Sequence, residues 1–309
     1  MLVPITRSRR SARHLRLIHG RRAALVGLVA AMVPSSLAVG IPNAPVKTWV
    51  PDGQVMSITP GAGSTAYVAG YFDQVGPQTG GSALIDGGTG VASTAWPTIV
   101  GDVYAVTPDG AGGWYVAGSF DRVGAEAIRN LAHIGADKTV DATFAPNPDG
   151  VVRSVVTKGT DVIIGGDFFV VAGQPRARLA SVTAAGSLNA WNPGANGAVG
   201  ALVVQGSTVY AGGSFTAISG SPRSYLAALD ASSGSLIGWG GTPSGPVHAL
   251  ALSGTTLFVG GDFSTMNGQS APSIAALTAA TGASLAGWSH NFYYWMVMCG
   301  YFAATIPAS

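Results

Sequence analysis

The stretch Tyr210-Ala-Gly-Gly-Ser-Phe-Thr-Ala-Ile-Ser-Gly-Ser-Pro-Arg223 decides the fold, because related copies of it recur through most of the chain. Its Gly-x-Phe tripeptide is found at five places, with steps of 48, 48, 47 and 48 residues. The five aromatic residues of this series are Phe72, Phe120, Phe168, Phe215 and Phe263. A constant period of this kind is typical of repeat architectures, in which each repeat is one small unit of secondary structure.

Two further series keep the same period. The first is aromatic, with steps of 47, 48, 47, 48 and 49 residues, and consists of Trp49, Trp96, Phe144, Trp191, Trp239 and Trp288. The second consists of valines, each two residues after a glycine: Val55, Val103, Val152, Val199 and Val247. Burying one Trp side chain is worth about 4–6 kcal/mol at 25 cal/mol per Å². We therefore expect the aromatic series to pack between neighbouring units rather than to bind a ligand.

Each unit contains four short apolar runs separated by turn residues, and none has a helical period. In the fifth unit the runs are 247–252, 256–259, 273–277 and 284–288. Helical repeats, β-helix coils and immunoglobulin-type sandwiches do not fit a unit of this content and length. The sequence predicts an all-β fold, a β-propeller of five to six four-stranded blades with about 48 residues in each blade.

The repeated pattern V-x-A-L, V-x-G-G-x-F, G-x-P-R, L-A-x-L-D and W-x-P resembles the delta-60 repeat of bacterial secreted β-propellers. The best match is 210–223, continued by Leu226-Ala-Ala-Leu-Asp230, and the resemblance extends from Trp49 to Trp288. It implies a propeller fold. It implies no particular activity, because members of that family share none.

The predicted domain covers 41–288, and residues 289–309 form a tail that lacks the repeat pattern. The five units are 49–95, 96–143, 144–190, 191–238 and 239–288. Residues 41–309 correspond to about 5.6 units, so the sequence predicts a propeller that is incomplete at its C-terminus. The alternatives are a truncated or frame-shifted product, a fragment of a larger surface protein, and a ring that the tail closes atypically.

Residues 1–40 are predicted to be a secretory signal peptide. They hold seven Arg and no acidic residue, followed by an apolar run of 11 residues at 23–33 and small residues at 36–40. The run is shorter than the roughly 20 residues that span a bilayer, and Pro34 ends it. The predicted location is secreted or at the cell surface, with membrane contact only through this segment. A permanent anchor is the alternative.

Without those seven Arg residues the chain has nine basic against 14 acidic side chains, a formal charge of −5. It has no basic stripe, so nucleic acid is not an expected partner. Cys299 is the only cysteine among 309 residues, which excludes an intramolecular disulfide.

Polar side chains at loop positions are the remaining candidates for chemistry. Arg129, Arg176 and Arg223, with Arg178, could form an anion-binding rim, or pair with aspartates of neighbouring units. Asp73, Asp121, Asp167 and Asp262 flank the repeated Phe and are expected to cap turns, or to hold Ca²⁺ if they converge. His248 lies in an apolar run and is expected to be a hydrogen-bonded core histidine.

The sequence offers no catalytic residues, no cofactor site and no His, Cys, Asp or Glu at metal-ligand spacing. We therefore expect a non-enzymatic binding or structural scaffold whose partner is a protein or a carbohydrate. A propeller enzyme is the alternative, either a hydrolase or a quinone-dependent dehydrogenase. The latter is suggested by the run from Ala228 to Trp239, which resembles the tryptophan-docking motif of quinoprotein propellers.

Overall fold

The computed structural model describes residues 54–60, 65–71 and 80–286, and the regular elements within those ranges are all β-strands. The predicted signal segment, the tail, and the anchors Trp49, Phe72 and Trp288 lie outside the described residues. The strands in chain order are β1 Gln54–Pro60, β2 Thr65–Tyr71, β3 Ser82–Asp86, β4 Ile99–Pro108, β5 Trp114–Val123, β6 Leu131–Ile134, β7 Val152–Lys158, β8 Asp161–Gly166, β9 Val170–Val171, β10 Gln174–Pro175, β11 Leu179–Thr183, β12 Val199–Gln205, β13 Thr208–Gly213, β14 Ala217–Ile218, β15 Ser221–Pro222, β16 Leu226–Asp230, β17 Val247–Ser253, β18 Thr256–Gly261, β19 Thr265–Met266, β20 Gln269–Ser270 and β21 Ile274–Thr278.

Most of these strands form five three-stranded antiparallel sheets, and one sheet lies in each of the five predicted units. The second strand is central in every sheet, as in the order β12-β13-β16 of the fourth sheet. The other strands form three short hairpins, β9–β10, β14–β15 and β19–β20, which connect the second and third strands of the third, fourth and fifth sheets. The predicted all-β class is therefore confirmed for the described residues.

The fourth strand that was predicted for each unit is reduced to a single bridge to the third strand. These bridges are Ile85–Ala92, Ile134–Val140, Val182–Leu188, Leu229–Leu236 and Leu277–Ser284. In the fourth unit the backbone N–H of Ile237 donates to the carbonyl of Ala228 at 2.8 Å. The chain then turns away from β16 so that Trp239 can enter the core, and this leaves too few residues for a longer ladder.

Each large hydrophobic cluster is built from two consecutive sheets. Trp191, for example, packs with Ile163 and Leu179 of the third sheet and with Val209 of the fourth. The four aromatic anchors among the described residues are all buried: Trp96, Phe144, Trp191 and Trp239. The four described Phe residues of Gly-x-Phe are at most 5% exposed: Phe120, Phe168, Phe215 and Phe263. Consecutive sheets therefore supply one another's core.

From the second sheet to the fifth, consecutive sheets lie closest at their first strands, where β7, β12 and β17 each contact the first strand of the preceding sheet, while β4 of the second sheet contacts both β1 and β2 of the first. The third strands of neighbouring sheets lie farther apart, so the sheets fan outward from the line of first strands. Glycine permits the close approach. A Cβ on Gly165 would lie 2.7 Å from Val199, and one on Gly212 would lie 2.5 Å from Val247 of the next sheet.

The three short hairpins share a two-residue turn that the sequence reasoning did not identify. Both central residues have positive φ: 49° and 72° at Ala172-Gly173, 50° and 71° at Ser219-Gly220, and 52° and 75° at Asn267-Gly268. These angles are those of a type I′ turn, for which Asn-Gly is the preferred sequence. Ala172 has the least suitable side chain of the three, because its Cβ disfavours the left-handed conformation.

Ala172→Asn is expected to stabilise the protein by about 1 kcal/mol, because Asn tolerates left-handed φ better than Ala. Gly173→Ala is the opposing control. Its φ is 72° and an added Cβ would meet no atom within 4 Å, so only backbone strain acts, and we expect a loss of about 1 kcal/mol. Urea denaturation of both variants measures the two changes. Equal midpoints for Ala172→Asn and wild type would contradict the assignment.

Candidate functional site: a row of residues at β-bulges

Every sheet has a β-bulge where its first strand pairs with its second. In the third sheet Val152 pairs with Gly166 and Ser154 pairs with Gly165, so Arg153 is an extra residue on β7. The extra residues of the five sheets are Met56, Tyr104, Arg153, Gly200 and His248. The central residues of the adjoining Gly-x-Phe tripeptides are Tyr71, Ser119, Asp167, Ser214 and Asp262. These ten residues are called the bulge row.

The glycine of Gly-x-Phe is required by the bulge. A Cβ on Gly213 would overlap the carbonyl oxygen of Ala198, and the same oxygen accepts a hydrogen bond of 2.9 Å from the N–H of Ser214. The equivalent overlap occurs at Gly166 with the carbonyl of Val151. Neither glycine has a positive φ, so close approach of two backbones rather than turn geometry explains the repeated residue.

Gly213→Ala is expected to lower the free energy of unfolding by about 3 kcal/mol or more, because the ladder must separate at the bulge. Gly200→Ala is the matched control in the same bulge. An added Cβ there has only the carbonyl of Val247 at 4.0 Å, so we expect a change within about 0.5 kcal/mol. The denaturant midpoints of the two variants measure both changes in stability. Similar losses in both variants would show that the bulge does not require glycine at position 213.

Side chains of the bulge row contact one another across the first three sheets. The rings of Tyr71 and Tyr104 meet edge to face, with their centroids 5.5 Å apart. Arg153 lies over the Tyr104 ring at 5.8 Å, and its Nε donates to Oδ2 of Asp167 at 2.6 Å. Burial raises the pKa of the Tyr104 hydroxyl well above its ordinary value, and the hydrogen bond with Tyr71 adds to the increase. Tyr71, Tyr104, Arg153 and Asp167 thus form one connected group.

The fifth sheet contributes a separate ion pair to the bulge row. Nε2 of His248 lies 2.7 Å from Oδ2 of Asp262, and the two side chains are 46% and 58% exposed. His248 is therefore not the core histidine that the sequence reasoning expected. It occupies the bulge position of an otherwise apolar strand, where the extra residue leaves the inward-outward alternation and its side chain reaches solvent.

The arginines of the predicted anion-binding rim occupy two different positions of the repeat. Arg178 and Tyr225 occupy equivalent positions of two units and have left-handed φ angles of 65° and 66°, so they mark the same point of the repeat. Arg176 and Arg223 each lie two residues before the marker of their own unit. Arg129 lies only one residue before the equivalent Asn130, whose φ is 63°. Arg129 therefore occupies a different position of the repeat from Arg176 and Arg223, and the anion-binding rim stays a prediction.

Arg176 and Arg223 are half-buried and bind backbone carbonyls rather than aspartates. Nη2 of Arg176 donates to the carbonyl of Asn189 at 2.9 Å, and Nε of Arg223 donates to that of Leu226 at 2.7 Å. Arg129 is exposed and lines a surface cavity of about 350 Å³ with Ala127, Asn147, Pro148 and Asp149.

The expected role of the aspartates beside Phe is wrong for two of them, because Asp167 and Asp262 pair with side chains of the bulge row. Asp121 is exposed, and Asp73 lies outside the described residues. Turn capping falls to other aspartates, such as Asp230, which accepts from the backbone N–H of Ser232 and Ser233. Within the described ranges, no group of three or more His, Cys, Asp or Glu side chains is placed to hold a metal ion.

One repeated polar position was missed by the sequence reasoning. Asp149, Asn196 and Ser244 each accept hydrogen bonds from the two backbone N–H groups that follow the Phe of Gly-x-Phe. Their steps of 47 and 48 residues were the available signal, but the residue type differs at each position. These side chains hold the start of each short hairpin against the loop before the first strand.

His133 lies between two carboxylates, away from the bulge row. Its Nδ1 is 3.1 Å from Asp141 and its Nε2 is 3.1 Å from Asp109, while Tyr115 stacks on the ring at 4.7 Å. The pKa of Asp141 is lowered by hydrogen bonds, first from Thr143 and then from His133. Burial acts to raise the pKa of Asp109, but hydrogen bonds from His133 and from backbone N–H groups outweigh it and lower the pKa.

This cluster predicts a loss of stability in acid. Both aspartates have folded-state pKa values below the ordinary one, so their contribution is present above about pH 4 and is lost as the pH falls through the lowered values. Urea unfolding between pH 2 and 6 is expected to show a shallower acid limb in Asp141→Asn than in wild type. Asp121→Asn, an exposed aspartate, should keep the wild-type slope, and equal slopes in all three proteins would contradict the prediction.

No family model matches the chain, and no curated protein matches it. Among solved structures, the computationally designed Ika8 protein is 12% identical, with 75% of this chain and 73% of that chain covered and a TM-score of 0.43. A Nidogen/Laminin complex matches at 11% identity, with 75% and 78% covered and a TM-score of 0.42. At these values the likeness supports no statement about this chain. Within the described residues, no helix is long and apolar enough to cross a membrane.

Proposed function

We propose that the protein is an exported, non-enzymatic β-propeller of the cell envelope or extracellular space, and that it binds its ligand through the bulge row. The observation that carries this proposal is the alignment of exposed or half-buried, chemically varied residues at the same position of five consecutive sheets. Structural positions of the repeat, by contrast, hold Gly, Phe and Val. Variation that is confined to one exposed position of a rigid scaffold is typical of a recognition surface.

The arrangement of the sheets supports the propeller. From the second sheet to the fifth, the first strand of each sheet is nearest the first strand of the next and the third strand lies farther out, which is the relation between neighbouring blades. The hydrophobic clusters also require each sheet to have a neighbour on its faces. In such a ring the first strands surround the channel, and the bulge row would encircle one end of it.

The charges of the bulge row support binding rather than catalysis. The charge of Arg153 is neutralised by Asp167 within the third sheet, and His248 pairs with Asp262 within the fifth sheet. Catalytic groups usually act on one reacting atom, so they converge from several elements. Here each pair belongs to its own sheet and is separated from the other pair by Gly200 and Ser214. Such a series suits an extended ligand that touches several blades.

Export is supported by the arginine-rich segment and the apolar run at 23–33. Expressed with its own N-terminus in a bacterial host, the chain is expected to reach the medium or the cell surface. The recovered protein is expected to sediment with isolated bacterial cell envelopes. Removing both cations of the bulge row, in Arg153→Ala/His248→Ala, should weaken that binding at least about tenfold, or 1.4 kcal/mol.

Lys158→Ala is the matched control for the loss of positive charge, because Lys158 lies at the other end of β7 from Arg153. It should bind as wild type does. Leu28→Arg, which interrupts the apolar run, should retain the protein inside the cell. Absence of envelope binding by the exported wild-type protein, or equal binding by the double variant, would overturn the proposed binding role.

A further inference from the structure

The bulge row is interrupted at the fourth sheet, where glycine occupies the position that holds a side chain in the other four sheets. An added Cβ at Gly200 would have only the carbonyl oxygen of Val247 at 4.0 Å, so the space beside the backbone is open. The opposite residue, Ser214, is short and exposed. The fourth sheet therefore forms the floor of a notch in the bulge row.

The walls of this notch are the two ion pairs of the neighbouring sheets. Arg153 and Asp167 stand on the third sheet, with side chains that are 43% and 34% exposed. His248 and Asp262 stand on the fifth sheet and are more exposed. The partners of each pair meet through one nitrogen and one oxygen, at 2.6 Å in the third sheet and 2.7 Å in the fifth. Each wall thus presents hydrogen-bond donors beside a carboxylate acceptor.

The walls favour a ligand that is neutral and rich in hydroxyl groups. A hydroxyl group donates and accepts at once, so it can bond a guanidinium N–H and a carboxylate oxygen of the same wall. A polyanion would be repelled by Asp167 and Asp262, because each wall carries a carboxylate that is at least 34% exposed. An apolar ligand would desolvate both ion pairs without replacing their bonds to water.

An aromatic surface continues the notch on the side of the third sheet. Arg153 lies over Tyr104, and Tyr104 meets the 40% exposed Tyr71. An aromatic ring with a polar edge can pack against an apolar face of a ligand while its hydroxyl stays hydrated. Sugar rings have such faces formed by their C–H groups. A ligand longer than one ring could therefore extend from the notch over the tyrosines.

From this geometry we propose that the notch at Gly200, between the Arg153–Asp167 and His248–Asp262 pairs, binds a neutral oligosaccharide. The proposal rests on the binding role proposed above and specifies the class of ligand. It also predicts that a large side chain at Gly200 blocks binding without damaging the fold, because the position is open in the structure.

The test titrates the purified protein with cellohexaose, maltohexaose, mannohexaose and chitohexaose, and with the anionic hexagalacturonate, by isothermal calorimetry. At least one neutral hexasaccharide is expected to bind more tightly than hexagalacturonate. Gly200→Leu is expected to weaken that binding at least about tenfold. Gly238→Leu is the matched control, since Gly238 is exposed and an added Cβ there meets no atom within 4 Å. It should bind as wild type does.

His248→Ala provides a second variant should Gly200→Leu fail to fold, and it is also expected to weaken binding because it removes a donor from one wall. Neutral binding that both variants leave unchanged would overturn the location. Tighter binding of hexagalacturonate, or no binding of any neutral hexasaccharide, would overturn the ligand class. Envelope sedimentation separates this proposal from the binding role on which it rests. If no neutral hexasaccharide binds but Gly200→Leu abolishes sedimentation with envelopes, the binding role stands with another ligand. If the wild-type protein does not sediment with envelopes, both proposals fail.

Discussion

Burial of each sheet's faces by its neighbours is the constraint on which the rest of this structure depends. Three strands of four to ten residues cannot shield their own apolar side chains, and the hydrophobic clusters accordingly join consecutive sheets in pairs. Full burial of one Val, Leu, Ile, Phe or Met side chain contributes about 1.5–3 kcal/mol. The sheets lie close together at their first strands and farther apart at their third strands. A side chain as large as Trp191 therefore packs between the outer strands, with Ile163 and Leu179.

The β-bulge reconciles this close packing with an exposed surface. It brings the carbonyl of the residue two positions before the extra residue against the glycine of Gly-x-Phe, and it lets the following Phe enter the core. The same local distortion turns the extra residue out of the strand alternation. One backbone feature therefore fixes Gly213 and Phe215 by steric limits while leaving Gly200 and Ser214 free to vary. Under the proposed binding role, structure and recognition would belong to different residues within the same few positions of the chain.

Much of the fold could be predicted from the sequence because the apolar runs coincide with the strands. The fifth unit was expected to have strands at 247–252, 256–259 and 273–277, and the structure has Val247–Ser253, Thr256–Gly261 and Ile274–Thr278. The hairpin of β19 and β20 was missed because two-residue strands show no alternation, although Asn267-Gly268 is itself a strong turn signal. His248 was misplaced because a bulge depends on the register between two strands, which one strand's sequence does not contain. The one-residue offset of Arg129 from Arg176 and Arg223 was not recognised for a similar reason: the residue with positive φ that fixes the position in the repeat is Asn130, Arg178 or Tyr225, and these share no residue type.

The ion pairs of the bulge row are better explained by recognition than by stability. Their side chains are 34–58% exposed, and pairs of that kind contribute about 0–1 kcal/mol because water screens them. The fourth sheet has Gly200 opposite Ser214 at the same position, and the fold is maintained there without any pair. The fold does not require the charges at these positions, so the residues there can differ for different ligands. The condition is that each basic side chain retains an acidic partner in its own sheet. The matched Arg153–Asp167 and His248–Asp262 pairs meet that condition, and so each sheet can alter its part of the bulge row independently of its neighbours.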